Sequence, residues 1–404
     1  MAEITQNSSN QKWAVVIGFG LALSPIHNQW LTDLVTKDGE VGFFLPSFGY
    51  MIWILATLIY VFVYDNWYKN TEGKWRFNWH GIDYGDRKVF ILLLVIVAAM
   101  GLSGAVNGET LSSKISPLLM GLSLITLYLA SRKLGLTLFR VFIPFVIAST
   151  IIVIILGIIN LGVSTGGLIT NYCASAGFII FGAIVNNGKW QWALLAFILI
   201  GLFFIGALEA VFIVAVLGIV FIIRRDVNRR FVIIASSLVF LIVLWALLGY
   251  ATPLYEGNQN VSYLIMLLTG EVEWSNYTVN LITSGRWAII VRSLQDFSFI
   301  GHGYSMGIEI SDVIEECGTV HNLPLIILHQ IGPFGALAWT FVTVYCLIKS
   351  KFKYAWTAVI AMCIFDHYFW TQFAPFWWAL AGVSLASKTK SDLIYRKVNE
   401  NWSY

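Results

Sequence analysis

Charge is what this chain has least of. Asp, Glu, Lys and Arg make up 12% of its 404 residues, and 58% are apolar. Soluble domains carry about 25% charged residues. The balance excludes a soluble globular protein and points to a polytopic membrane protein. A formal net charge of +3 is too small to imply a nucleic-acid partner. Cysteine is scarce as well. Of the four, only Cys317 falls outside the expected membrane segments, so no structural disulfide is expected. No Cys/His cluster has metal-ligand spacing, so neither a metal nor another cofactor is expected. A Gly-rich phosphate loop, a heptad seam and a Gly-x-Ser-x-Gly elbow are all missing. There is no fixed-period repeat, low-complexity tract or appended soluble domain. The polar first twelve residues lead into an apolar stretch without a clear small-residue cleavage site, which reads as a retained signal-anchor.

What is present in abundance is apolar runs of membrane length. A membrane helix needs about 20 apolar residues. Single spans are expected near 13–31, 41–64, 89–107, 115–130, 138–160, 166–186, 231–250 and 322–348. Two runs, 190–223 and 354–387, are 34 residues each. One helix of that length would be about 51 Å long against a hydrocarbon core of about 30 Å. Each is therefore expected to be a hairpin of two short helices, turning near Gly206–Glu209 and Asp366–Thr371. The expectation is an all-α polytopic membrane protein with twelve transmembrane helices. Residues 1–250 hold helices one to nine, 251–321 form one large outer loop containing short helices, and 322–404 hold helices ten to twelve and a cytoplasmic tail. With both termini inside, 21 of the 25 Lys and Arg residues lie on the cytoplasmic side. That bias satisfies the positive-inside rule and requires both hairpins.

The 71-residue outer loop carries eight acids but only two cations, Arg286 and Arg292. Two arginines beside a membrane wall suit a doubly charged lipid headgroup. Ser284 is placed to cap a helix on which Trp287, Ile290, Val291 and Leu294 form one apolar stripe. On that helix Arg286 flanks the stripe and Arg292 lies nearly opposite it. Both are also readable as ordinary solubilising charges, a reading favoured for Arg292. Gly301-His302-Gly303 reads as a turn back towards the bilayer, with a structural role favoured for its histidine. Asn322 is a good helix cap and Pro324 is tolerated in a first turn. His321 then sits at the positive end of a helix dipole, which favours a neutral imidazole able to accept a proton. The alternative is a histidine that only caps the span. Asp366 and His367 occupy the tip of the last hairpin, and Glu209 is the only acid of the first. Trp370, Trp377 and Trp378 fit an interfacial aromatic belt.

From Ser284 to about Gly335 the chain resembles the signature region of the O-antigen ligase and polymerase superfamily. The matching pieces are Gly285-Arg286, Gly301-His302-Gly303, His321-Asn322 and Gly332-Pro333-Phe334-Gly335. The stretch Asp366-His367-Tyr368-Phe369-Trp370-Thr371 is similar to one in the last hairpin of many members. The resemblance implies a metal-independent glycosyltransferase of cell-surface polysaccharide assembly in the bacterial inner membrane. Its donor would be a polyprenyl diphosphate-linked oligosaccharide at the periplasmic face. Its acceptor would be a glycan or a lipid. Membrane lipids and a chain-length regulator protein are further expected partners. Arg286 would hold the pyrophosphate and His321 would act at the reacting centre. Arg292, His302, Asp366 and His367 would complete substrate binding. One departure concerns Glu209, which stands where the family often has an arginine. A second anion contact would then come from Arg292, Lys37 or Lys114. This departure favours polymerase slightly over ligase. The rival class is a transporter or flippase of lipid-linked oligosaccharide, which calls for polar groups near the midplane, His329 and Asn160 being candidates, and for an internal repeat.

Overall fold

The computed structural model describes residues 2–24, 48–65, 67–69, 75–77, 85–142, 144–145, 148, 266–282, 286–304, 322–350, 352–365, 369–370 and 373–386. In chain order these form α1 (Ala2–Leu23), α2 (Phe48–Leu58) running into a π-helical stretch (Ile59–Asp65), β1 (Trp67–Lys69), β2 (Trp75–Phe77), α3 (Arg87–Asn107), α4 (Leu111–Leu134), α5 (Asn276–Ile282), α6 (Arg286–Gln295), α7 (Leu323–Lys349), α8 (Lys353–Phe365) and α9 (Ala374–Ser384).

Among the described residues, three helices are long and apolar enough to cross a membrane: α3, α4 and α7. They coincide with the expected spans near 89–107, 115–130 and 322–348. Helix α2 with its π-helical continuation falls within the expected span near 41–64. Helix α1 begins earlier than expected, running through the polar N-terminal stretch. The last long apolar run is divided between α8 and α9, and Phe369 and Trp370 lie in the turn region between them. The spans expected near 166–186, 190–223 and 231–250, with Asn160 and Glu209, lie outside the described residues. The described fold is helical, as expected, apart from one short hairpin. Strands β1 and β2 pair antiparallel, with Tyr68 opposite Arg76. Their Trp, Tyr and Phe residues favour extended chain, and Asn70 and Gly73 between them are turn-forming types.

The packing follows a few specific contacts. Thr110 and Ser113 form a reciprocal capping box in the tight turn that reverses α3 into α4. Helix α7 runs antiparallel to α3. The Ser103 hydroxyl bonds the Gln330 carbonyl at one end, and the Tyr345 hydroxyl bonds the Asp86 carboxylate at the other. Helices α8 and α9 fold back on each other, with the Trp356 indole donating to Ser384 Oγ at 2.9 Å. Arg132 at the end of α4 donates to the Leu385 carbonyl just past α9. Arg87, Lys88, Arg132, Lys133, Lys349 and Lys353 consequently gather at one end of the bundle. The opposite end collects the Thr110 turn, Asn322, residues 296–304 and Trp370.

Helix α9 is apolar all round and is buried from Ala374 to Val383, as suits a central helix. The aromatic-belt reading is therefore corrected. Trp370, Trp377 and Trp378 are buried in the bundle. Trp377 stacks on Trp339 at 5.3 Å, and its indole donates to Thr343 Oγ1 at 3.0 Å. A buried indole N–H finds a partner inside the protein when headgroups are out of reach.

Candidate functional site

The site end of the bundle is built around a break in α7. Pro333 lacks an N–H, and its ring crowds the carbonyl four residues earlier, that of His329. Gly332 leaves the helical region altogether, at φ 74° and ψ 178°. Carbonyls freed inside a span have no water to turn to. Here they are met by the returning loop. His302 N–H donates to the His329 carbonyl at 2.8 Å, and Gly303 N–H donates to the Gln330 carbonyl at 3.2 Å. The Ser103 hydroxyl of α3 also donates to Gln330 O, at 2.6 Å.

The two backbones pass with no room for a side chain. A Cβ on Gly301 would lie 2.3 Å from Gln330 O, and one on Gly332 would lie 2.2 Å from Phe299 O. Gly301 also has φ 82°, in the region that favours glycine. The Gly-x-Gly turn and the Gly332–Gly335 segment, 31 residues apart in sequence, are thus opposite faces of one contact.

Further polar groups close around it. Asn107, the last residue of α3, donates to the carbonyls of Ser103 at 2.9 Å and Gly301 at 3.1 Å. Gln330 Oε1 accepts the Trp370 indole N–H at 2.7 Å, and the Tyr304 hydroxyl donates to the Trp370 carbonyl at 3.1 Å. The loop, α3, α7 and the last hairpin are joined through Gln330 and Trp370. Asn322 caps α7 as expected, accepting from Leu325 N at 3.2 Å.

His302 is half-buried, and its Nε2–H donates to the Asp296 carbonyl at 2.9 Å. Its ring stacks on that of His329, with centroids 4.4 Å apart and planes 22° apart. Among the described residues, Asp296, His302 and His329 are the one group of His, Cys, Asp and Glu whose ligand atoms crowd together, within 4.8 Å. Proximity is not coordination. Imidazole lone pairs lie in the ring planes, and two stacked rings aim them side by side rather than at one point. The hydrogen bond to Asp296 O further occupies His302 Nε2. The arrangement suits a packed latch better than a metal centre.

Of the sequence-derived site residues, Arg286 opens α6, and Arg292 is exposed in its last turn. The apolar stripe expected on α6 coincides only in part with the face that packs on the core. Trp287 and Leu294 are exposed, whereas Ile289 and Ser293 are buried and Ile290 packs against the core. At about 100° per residue, position 286 falls on the same helical face as 289, 290 and 293. Lipid-facing and interfacial residues are apolar too, so the most apolar face need not be the packed one. His302 lies at the α7 break. His321, Asp366 and His367 lie outside the described residues, as do Lys37 and Gly285.

Sequence reasoning missed Ser103, Asn107, Tyr304, Gln330 and Trp370 as members of this network. The available signal was polarity in the wrong place, since Ser103, Asn107 and Gln330 interrupt apolar spans. His329 was noticed, but as a transport candidate. Compared with protein-family models, curated proteins and solved structures, the chain gives no match.

Proposed function

We propose that the chain is an integral membrane glycosyltransferase of surface-polysaccharide assembly, of the O-antigen polymerase and ligase type. It would act at the outer face of a bacterial inner membrane, with both termini cytoplasmic. An acceptor hydroxyl attacks the anomeric carbon of a sugar carried on a polyprenyl diphosphate. The new glycosidic C–O bond forms as the bond from that carbon to phosphate oxygen breaks. His321 takes the hydroxyl proton, and Arg286 stabilises the charge gathering on the departing diphosphate. Asp366, His367, His302 and Arg292 are the further contacts to substrate. The step uses no nucleotide. An acceptor that is itself a lipid-linked glycan makes the enzyme a polymerase, and the replacement of an arginine by Glu209 favours that choice over ligase.

One observation supports the reading above the others. Residues 301–303, 332–335 and 370, from three separate pieces of the resemblance, meet at one end of the bundle around the α7 break. By helical register, position 286 of the neighbouring α6 lies on the face that carries Ile289 and Ser293. Purified protein in proteoliposomes with lipid-linked oligosaccharide provides the test. New glycan–glycan bonds are expected. Movement of the lipid-linked sugar across the bilayer with no new bonds would replace this reading with the transporter. Arg286→Ala should abolish product while leaving the protein in the membrane. His321→Ala should slow transfer on the order of 10²–10⁴-fold, the usual contribution of a general base. An unchanged rate in either variant removes that residue's role.

A further inference from the structure

The backbone of residues 300–303 and the side chains of Phe297, Phe299 and Ile300 face opposite ways. Towards the protein, the amides of Asp296 and of residues 300–303 find partners. Asp296 N–H donates to Arg292 O, Gly301 N–H to Ser298 O, His302 N–H to His329 O and Gly303 N–H to Gln330 O. Ile300 N–H donates to Ser298 Oγ. The Gly301 carbonyl accepts from Asn107 and from Ser298 Oγ, and the Asp296 carbonyl accepts from His302. Away from the protein, Phe297, Phe299 and Ile300 are exposed, Phe299 at 70%. The two phenyl rings meet edge to face at 5.1 Å.

The hydrogen bonds also fix the depth of this segment. Its partners Ser103, His329 and Gln330 belong to α3 and α7, two of the membrane-length helices. Ser103 lies four residues, or about 6 Å, inside the end of α3. Phe299 O packs directly against Gly332, nine residues into α7. Leu102 and Val106 on α3 and Phe334 and Leu337 on α7 are exposed on either side of that level, as lipid-facing residues of a span must be. The row Phe297–Phe299–Ile300 continues that belt.

We propose that residues 297–300 are a re-entrant wedge inserted among the lipid acyl chains of the leaflet on the site side. The amides of residues 300–303 already have partners, as that medium requires of a backbone facing it. Aromatic side chains at this depth anchor a loop to the interface. The segment is therefore part of the membrane-embedded body and not of the aqueous loop expected from sequence. The inference does not depend on glycosyl transfer.

Spin labels at Phe297→Cys, Phe299→Cys and Ile300→Cys, in a full-length chain whose four native cysteines are replaced, test it in phospholipid vesicles. Collision with oxygen should exceed collision with a water-soluble nickel chelate, as at Leu102→Cys on α3. Trp274→Cys, exposed in the preceding loop, should show the reverse. A nickel preference at 297–300, or protection from both reagents, overturns the proposal. If the cysteine-free background fails to fold, p-benzoylphenylalanine at position 299 of the otherwise native chain serves instead. Photocrosslinking to lipid supports the wedge. Crosslinks to protein alone, or none under irradiation that labels position 102, overturn it.

Discussion

Gly301→Ala tests the loop-to-helix contact most directly. The new methyl group would sit 2.3 Å from Gln330 O, 2.4 Å from its carbonyl carbon and 2.6 Å from Ile331 N. All three are backbone atoms, so no side chain can swing aside. Overpacking of this kind costs about 1–3 kcal/mol. The φ of 82° adds about 1–2 kcal/mol for an L-residue. Staying docked therefore costs roughly 3–4 kcal/mol. Lifting the loop would instead sacrifice the bonds from His302, Gly303 and Asn107, at about 1 kcal/mol each, and strip the His329 carbonyl of its donor for a further 1–3 kcal/mol. The two routes are comparable, so the docked state loses about 3 kcal/mol relative to the open one. Hydrogen exchange at the His302 and Gly303 amides should then accelerate on the order of 10²-fold, at 1.4 kcal/mol per decade. Gly270→Ala is the internal control. Its φ is 79° with nothing within 4 Å of the added carbon, so only the conformational cost of about 1–2 kcal/mol applies. Unchanged exchange at 302 and 303 in Gly301→Ala would refute the docking of this turn onto the broken helix.

Other outcomes follow from single contacts. Gln330→Leu should cost about 1–3 kcal/mol by leaving the buried Trp370 indole N–H without Oε1. A thermal-melt cycle with Trp370→Phe should recover a coupling near 1 kcal/mol, and strict additivity would remove the bond. Ser103→Ala should cost about 1 kcal/mol, read as a lower melting temperature in detergent. Asp86 at the opposite end has its carboxyl held below the usual range, first by the Tyr345 hydroxyl and then by the Lys88 amide. A depressed folded value means its stabilisation is full above the unfolded carboxylate range and fades as pH falls through the lower folded value. Tyr345→Phe should shrink that acid-side loss in a pH series of melts. An identical acid limb in the variant would deny Tyr345 this part.

Much of the architecture was legible because the bilayer imposes length. The runs that became α3, α4 and α7 were bounded by charge at one end and by turn residues or a cap at the other. A run of 34 residues, too long for a single span, called for the division of α8 from α9. The facing of helices was far less legible. On α6 the stripe Trp287–Leu294 competed with the face actually packed, Ile289–Ser293, and in a chain so apolar periodicity carries little contrast. The tryptophans of the last hairpin were misassigned for a related reason. An indole satisfied by Thr343 or Gln330 in the core has the same sequence signature as one anchored at headgroups.

The candidate site was legible only as separate motifs, because nothing local links residue 301 to residue 332. What links them is the requirement that a span keep its carbonyls bonded. Gly332-Pro333 breaks α7 at a point where His329 O and Gln330 O face no solvent. A chain carrying such a break must supply donors from elsewhere, at close range, from a backbone free of Cβ. Gly301-His302-Gly303 meets that need with two amides, and Ser103 adds a hydroxyl. The stacking of His302 on His329 then follows from where those amides must sit. A glycine-flanked residue before a span and a Gly-Pro pair within that span are thus two halves of one device. The polar residues that interrupt neighbouring spans, here Ser103, Asn107 and Gln330, mark where the halves close.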